Sequence, residues 1–418
     1  MTDELKNIPS KIPLEQFDTG VLAKEKIREM FRAGKLPTPE ALVDEIILRC
    51  VKEGANDIHF EPTDAELRIR FGHEGILKRL VSLPKEIADN LASVLKTKAS
   101  VNAFEKKKVQ EGRFSVNYGT HQFDIRVSTI PIMTGERIAL RILHKTARIA
   151  QIQELGFSKE NLEKFRRLLH HPTGLFLIAG PSGSGKSTTL YAAVNEIQSP
   201  EKNIITVEDP IEYRLEFASQ VQTTSDKSLT FADALRSILR QDPNIIMLGE
   251  IRDAETCVVA AEAALTGNLV LSTMLSGDAI GVVPRLLNLG ISPYWLAATL
   301  VGVVYQQLMR KICESCKEEY SPSAEEQNIL AGLANGVTKL YKGKGCPVCK
   351  NTGYIGQVAI HEILIVEDQL RDLIYQQATL LKMKEAAIAA GFINIRADAV
   401  QKVVSGISTI SEFTRALG

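Results

Sequence analysis

Leu175-Phe176-Leu177-Ile178-Ala179, followed at once by Gly180-Pro181-Ser182-Gly183-Ser184-Gly185-Lys186-Ser187, decides the fold of this chain. Consecutive apolar residues leave no polar face, which predicts a strand buried on both sides of a sheet. The residues after it fit G-x-x-x-x-G-K-[ST] at every position, and Ser187 to about Ile197 reads as a helix. Strand, glycine-rich turn and helix in that order make a phosphate-binding loop. The glycines let backbone N–H groups turn inward, and the helix N-terminus adds partial positive charge. The motif assigns the segment through Thr188 to a nucleoside triphosphate, ATP in the simplest case. Lys186 would reach the β- and γ-phosphates and Ser187 would hold Mg²⁺.

Working outward, short apolar runs recur at Ile204–Val207, Ile245–Leu248 and Leu269–Leu271. Helical stretches such as Phe231–Leu239 and Ala254–Leu265 separate them, which predicts an α/β domain around a parallel sheet. Ligands of such sheets lie at the carboxyl ends of the strands. There Ile204-Ile205-Thr206-Val207 runs into Glu208-Asp209-Pro210, and Ile245-Ile246-Met247-Leu248 into Gly249-Glu250, with Arg252-Asp253 following. Either Glu208 or Glu250 could polarise an attacking water, leaving the other for the metal.

Upstream, Thr38 as N-cap and Pro39 at the first helical position predict a helix over the periodic ALVDEIILRCVKEG. Asp57–Phe60, Glu66–Phe71 and Phe123–Val127 alternate as strands do, so residues 38–145 read as an α+β domain. Residues 1–37 are an arm or linker and 146–158 a connection. Downstream, Cys313-x-x-Cys316 and Cys346-x-x-Cys349 are separated by 29 residues (317–345). Four thiolates complete a closed tetrahedral site suited to structural Zn²⁺. A redox role is the alternative for either pair alone. Lys311, Lys317, Lys344 and Lys350 flank the pairs and would offset the charge of a zinc–thiolate centre. Cys50 and Cys257 sit in apolar helical sequence and read as small core residues. From about Val366 the chain is helical. These features set boundaries of 159–305 for the nucleotide core, 306–355 for the tetracysteine module and 356–418 for the C-terminal helical region.

Composition excludes other classes. The chain has 418 residues, enough for two or three domains. Fifty basic residues balance fifty acidic ones, which argues against a nucleic-acid partner bound through bulk charge. No apolar run approaches the roughly 18 residues of a membrane span, and the N-terminus lacks a signal sequence, so a cytoplasmic protein is expected.

The landmarks in this order resemble the secretion-type ATPases, the superfamily of the type II secretion motor and the type IV pilus assembly motor. Ala55-Asn56-Asp57-Ile58-His59-Phe60-Glu61-Pro62 is similar to that family's A-S-D-I-H-x-E-P segment. Phe123–Thr129 and Gly135–Leu143 resemble its arginine-bearing strands, and Ile205–Glu212 its Asp box. Arg240–Asp253 resembles its Walker B region, and Ala390-Gly391-Phe392 with Arg396–Ala399 its last helices. The resemblance covers residues from about Pro39 to the end. It implies an α/β multidomain protein with a PAS-like N-terminal α+β domain, a RecA-like P-loop core, a zinc module and C-terminal helices. It also implies a homohexamer peripherally associated with the inner membrane, driving a pseudopilus or pilus platform. Arg126 and Arg141 would contact the nucleotide phosphates, Glu208 would orient water, and Glu250 would join the Mg²⁺/water network. The tetracysteine insert implies secretion or pilus extension rather than retraction.

The chain also departs from that pattern. Thr266-Gly267-Asn268-Leu269 and Ser272-Thr273-Met274-Leu275-Ser276-Gly277-Asp278 carry Asn268 and Leu275 where the family has histidines. Such a loss costs about tenfold to a thousandfold in turnover where the histidine stabilises developing charge. A nucleotide-binding subunit with weak hydrolysis is therefore the alternative to a motor, and a nucleic-acid motor a third. Family members usually carry a further N-terminal docking domain, and this chain begins close to where the next domain begins, as a short member or a truncated piece would.

Overall fold

The computed structural model describes Leu5 and residues 8–18, 37–144, 148–223, 228–334 and 336–418. Most of the expected arm, and the start of the expected connection, lie outside the described residues. The chain divides into two units, Met1–Ala147 and Arg148–Gly418.

In the first unit the helix Pro39–Lys52 begins as its sequence dictates, with Thr38 accepting a hydrogen bond from the Ala41 N–H at 3.3 Å. Its periodic side chains Val43, Ile46, Ile47 and Cys50 are buried. They pack on an antiparallel sheet of β1 (Asp57–Pro62), β2 (Glu66–His73), β3 (Ile76–Pro84), β4 (Gln110–Tyr118), β5 (His121–Ile132) and β6 (Gly135–His144). The strand order is β3-β2-β1-β6-β5-β4. Alternation gives the sheet two faces: Phe123, Ile125 and Val127 of β5 turn into the core, while Asp124, Arg126 and Ser128 turn away. The helix Ala88–Lys98 closes the same core with Leu91 and Leu95.

The second unit is built on seven strands: β7 (Gly174–Ala179), β8 (Ile204–Glu208), β9 (Ser219–Gln222), β10 (Ile245–Leu248), β11 (Leu269–Met274), β12 (Leu300–Ile312) and β15 (Tyr354–Ile365). Their order is β15-β12-β7-β11-β10-β8-β9, and every pair is parallel except β12 with β15. All six residues of β7 are buried because the sheet is covered on both faces. Leu175 and Leu177 enter one core, Phe176 and Ile178 the other. Trp295, on the short helix Pro293–Thr299 capped by Ser292, packs against the first of these cores. So do the C-terminal helices, through residues such as Leu370, Met383, Val400 and Phe413.

The expected boundaries at 306 and 356 both fall inside strands. β12 and β15 pair without a gap wider than one bulge from Gly302↔Ile365 to Ile312↔Tyr354. The cysteine segment is thus a long connection between two strands of the nucleotide-binding sheet. It carries its own small hairpin, β13 (Lys317–Tyr320) with β14 (Leu340–Gly343).

Candidate active site

The predicted phosphate loop joins β7 to the helix Lys186–Ile197. Gly183 and Gly185 have φ of 73° and 86°, the left-handed region that a side chain disfavours. Gly180 is required by crowding as well: a Cβ there would lie 2.4 Å from the Gln306 carbonyl oxygen and 2.5 Å from Ser184 Oγ. Lys186 Nζ folds back over the loop, donating to the carbonyls of Gly180 (3.0 Å) and Pro181 (2.8 Å). Burial pushes its ammonium pKa down, and nearby Glu250 partly offsets this. Ser187 and Thr188 are half-buried in the first helical turn.

Glu250, after the carboxyl end of β10, lies near enough to Lys186 for its charge to act on the ammonium group. Glu250 is half-buried and paired with Arg252. The turn bearing Glu250 is laced to its neighbours: Gly249 N–H donates to the Val207 carbonyl (2.8 Å), and Thr273 Oγ1 donates to the Gly249 carbonyl (2.7 Å). Glu208 is placed differently. It is 2% exposed, and its carboxylate accepts hydrogen bonds from the Tyr191 hydroxyl, Thr206 Oγ1 (2.6 Å) and Gln220 Nε2 (3.0 Å). Tyr191, on the helix that starts at the phosphate loop, also accepts from the N–H groups of Glu212 (3.0 Å) and Tyr213 (3.2 Å). Glu208 thus ties that helix to the segment after β8.

The two positions without histidine are accounted for. Asn268 is buried and donates to the Ala263 carbonyl at 2.8 Å, closing the end of the helix Ala254–Leu265. Leu275 is 42% exposed just beyond β11 and offers no hydrogen bond.

In the first unit, Arg126 pairs in register with Arg141 on β6 and with Arg113 on β4. Directly opposite residues share a face, so three arginines stand in one row across the sheet. Asp57 continues the row on β1, its carboxylate 2.9 Å from Arg141 Nε. Glu61, four residues on, accepts both Arg70 contacts at 2.8 Å and one from Arg137 at 2.9 Å. Burial alone would raise its pKa, but the two guanidinium groups bring it below the usual carboxylate value. The acids of the Asp57–Pro62 segment are therefore arginine-holding groups.

The four module cysteines converge. Their sulfurs lie within 4.8 Å of one another, with Cys313–Cys346 and Cys316–Cys349 at 3.8 Å and Cys346–Cys349 at 3.7 Å. A tetrahedral ion with sulfur ligands at about 2.3 Å needs edges of about 3.8 Å. The donor set fits Zn²⁺ in both chemistry and size. Backbone N–H groups of Cys346 and Gly353 each reach Cys349 Sγ at 3.2 Å. Burial works against the Cys349 thiolate, yet these donors draw its pKa to about 6. Of the flanking lysines, Lys317 and Lys344 also pair with Glu314 and Glu318. Cys50 and Cys257 are fully buried core residues, and burial pushes the Cys257 thiol up to about 12.

Residues 33–415 match the type II/IV secretion system protein family. The chain belongs to that family. The type II secretion system ATPase E of Vibrio cholerae is 41% identical over 374 residues, covering 90% of this chain and 74% of that protein. The type IV pilus assembly ATPase PilB of Thermus thermophilus is 40% identical over 376 residues, covering 89% of this chain and 42% of that protein. Among solved structures, the pilus retraction motor PilT with bound ADP superposes with a TM-score of 0.59 at 27% identity, covering 89% of this chain and 95% of that one. The Legionella pneumophila ATPase DotB shares the fold with a TM-score of 0.63, covering 91% and 95% of the two chains at 21% identity. These relatives make it a family of secretion and pilus ATPases, and the fold class expected from the sequence holds.

Two residues of interest escape a linear reading. Arg113 lies on β4, whose polar members Arg113, Ser115 and Asn117 alternate with Phe114, Val116 and Tyr118. That alternation was the available signal. Gln306 is 1% exposed within β12, and its Nε2 donates to the Ser184 carbonyl at 2.7 Å. A carboxamide ending an apolar run, with a second, Gln307, directly after it, was its only mark.

Proposed function

We propose that this chain is an Mg²⁺-dependent ATP-hydrolysing motor, acting as a homohexamer on the cytoplasmic face of the inner membrane. Its work would be assembly of a type II secretion pseudopilus or a type IV pilus, through a membrane platform protein. The observation that carries the reading is the phosphate loop between β7 and the helix Lys186–Ile197, with Glu250 following β10 at the same carboxyl end of the parallel sheet. Membership of a family of secretion and pilus ATPases supports the rest. No described helix is long and apolar enough to cross a membrane, consistent with peripheral association.

In this reading the loop segment Gly180–Thr188 binds the phosphates. Lys186 exchanges the Gly180 and Pro181 carbonyls for β- and γ-phosphate oxygens. Ser187 and Glu250 hold Mg²⁺, which when bound neutralises charge developing on the phosphates. Glu250 also orients the attacking water. Glu208 contributes by fixing the strand end, and turns to water only after releasing one of its donors. Arg126 and Arg141 supply positive charge to the phosphates. Cys313, Cys316, Cys346 and Cys349 hold one structural Zn²⁺. The balanced net charge leaves nucleic acid outside the set of partners.

The test is phosphate release by the full chain, beside Lys186→Ala and a chelator control. Lys186→Ala should fall by about a hundredfold or more. Wild-type release no higher than that of Lys186→Ala would sink the enzymatic reading. The second reading, a nucleotide-binding subunit with weak hydrolysis, rests on Asn268 being spent on a helix end and Leu275 being apolar. It predicts tight ATP binding with little phosphate release, and about a tenfold gain in turnover for Leu275→His.

A further inference from the structure

Tyr305 of β12 pairs in register with Ala179, the last residue of β7. Gln306 is therefore the next residue along, beside the point where the phosphate loop leaves the sheet. Its backbone and side chain both meet the loop. The Gln306 carbonyl oxygen is what a side chain at Gly180 would strike, and its Nε2 lies 3.2 Å from where a Cβ on Gly185 would be. The same Nε2 donates to the Ser184 carbonyl at 2.7 Å, in a buried contact spanning 122 residues of sequence.

That contact has a directional consequence. Across a trans peptide the C=O of one residue and the N–H of the next point in opposite directions. Tying the Ser184 carbonyl to Gln306 turns the Gly185 N–H away from β12. Gly185, at φ 86°, then hands the chain to the helix beginning at Lys186. A nucleotide loop needs its carbonyls turned outward and its N–H groups inward. Gln306 holds one carbonyl outward at the last peptide before the lysine.

We propose that Gln306 is a positioning residue for the nucleotide: a carboxamide strut that fixes the Ser184–Gly185 peptide with its N–H facing the phosphates. This rests on the ATP-binding reading above. Two further atoms belong to the device. Gln306 Oε1 and Ser184 Oγ are both buried without a hydrogen-bond partner among the described residues. They leave the strut an acceptor and a hydroxyl in reserve when Lys186 lets go of its carbonyls.

The experiment uses the full chain and N-methylanthraniloyl-ADP with Mg²⁺, with phosphate release measured in parallel. Gln306→Leu keeps the volume and removes the donor, so binding should weaken by about tenfold, the scale of one lost buried hydrogen bond. KM should rise more than kcat falls. Gln306→Glu supplies a donor only while protonated. Its affinity should therefore recover as pH is lowered from about 8 to 6, relative to wild type measured at the same pH, a response that packing alone would not give. Gln306→Leu binding within threefold of wild type overturns the proposal while leaving the ATPase reading intact. Wild type binding no better than Lys186→Ala overturns both. If Gln306→Leu does not fold, the pH series of Gln306→Glu decides, and a flat profile overturns the strut.

Discussion

Glu412, 1% exposed near the C-terminus, accepts from the backbone N–H of Arg310 (2.8 Å) and from the guanidinium groups of Arg310 (2.7 Å) and Arg415 (2.8 Å). Burial pushes its carboxyl pKa up, but Arg415 and Arg310 overcome that and hold it at about 2. A free glutamate titrates near 4.3 (roughly). The folded state therefore binds fewer protons than the unfolded one, and the stabilisation is complete above that value and lost as pH falls toward 2. Glu412→Gln should cost about 3 kcal/mol at neutral pH, because it leaves Arg310 without its counter-charge. The gap between wild type and variant in thermal unfolding should close as pH is lowered from 5 to about 2.5; a constant gap would assign the cost to shape rather than charge. No linear reading could find this contact, since Arg310 and Glu412 are 102 residues apart. Lys186, Ser187 and Glu250 were legible for the opposite reason. Their positions are set by a local turn or a strand end, which short sequence encodes directly. Glu208 was legible as a strand-end acid, but its engagement with Tyr191 and Gln220 depends on tertiary packing.

Strands with a uniform character were read correctly, as β7 and β10 illustrate. β12 was not among the expected strands, and a boundary was set at 306, because Gln306, Gln307, Arg310 and Lys311 interrupt its apolar run. Pairing with β15 nevertheless carries the strand on to Ile312, since main-chain hydrogen bonds do not depend on side-chain polarity. The arginine row on β4, β5 and β6 is likewise a property of register. Like charges directly opposite destabilise a sheet by a few tenths of a kcal/mol up to about 1. Arg113→Gln should therefore raise the nucleotide-free unfolding midpoint of the first unit, by about 0.5 kcal/mol in stability terms. The gain should shrink in about 1 M salt, where repulsion is already screened. A lowered midpoint, or a gain indifferent to salt, would show that the row is not under repulsion.

At the level of the whole molecule, an α+β unit preceding a parallel α/β unit was legible, and the family pattern spans both. The antiparallel β15 was not, because its partner β12 is separated from it by the entire cysteine segment. That placement would make a metal held by the four cysteines a matter of sheet integrity. The cysteine connection leaves β12 at Ile312 and returns at Tyr354. One zinc per chain is expected by elemental analysis. Its removal by a chelator, or Cys346→Ser, should lower the unfolding midpoint of the second unit and leave that of the first unchanged. Equal loss in both units, or none in either, would count against a local structural ion.

Trp295 gives that comparison an optical handle. It is the only tryptophan in the sequence, and it packs against the core of the second unit. Indole emission, excited selectively at the red edge, comes from one half of the chain alone, whereas far-ultraviolet dichroism sums both. The untagged protein thus carries its own single-site fluorophore, and disagreement between the two signals during melting would measure how independently the halves come apart.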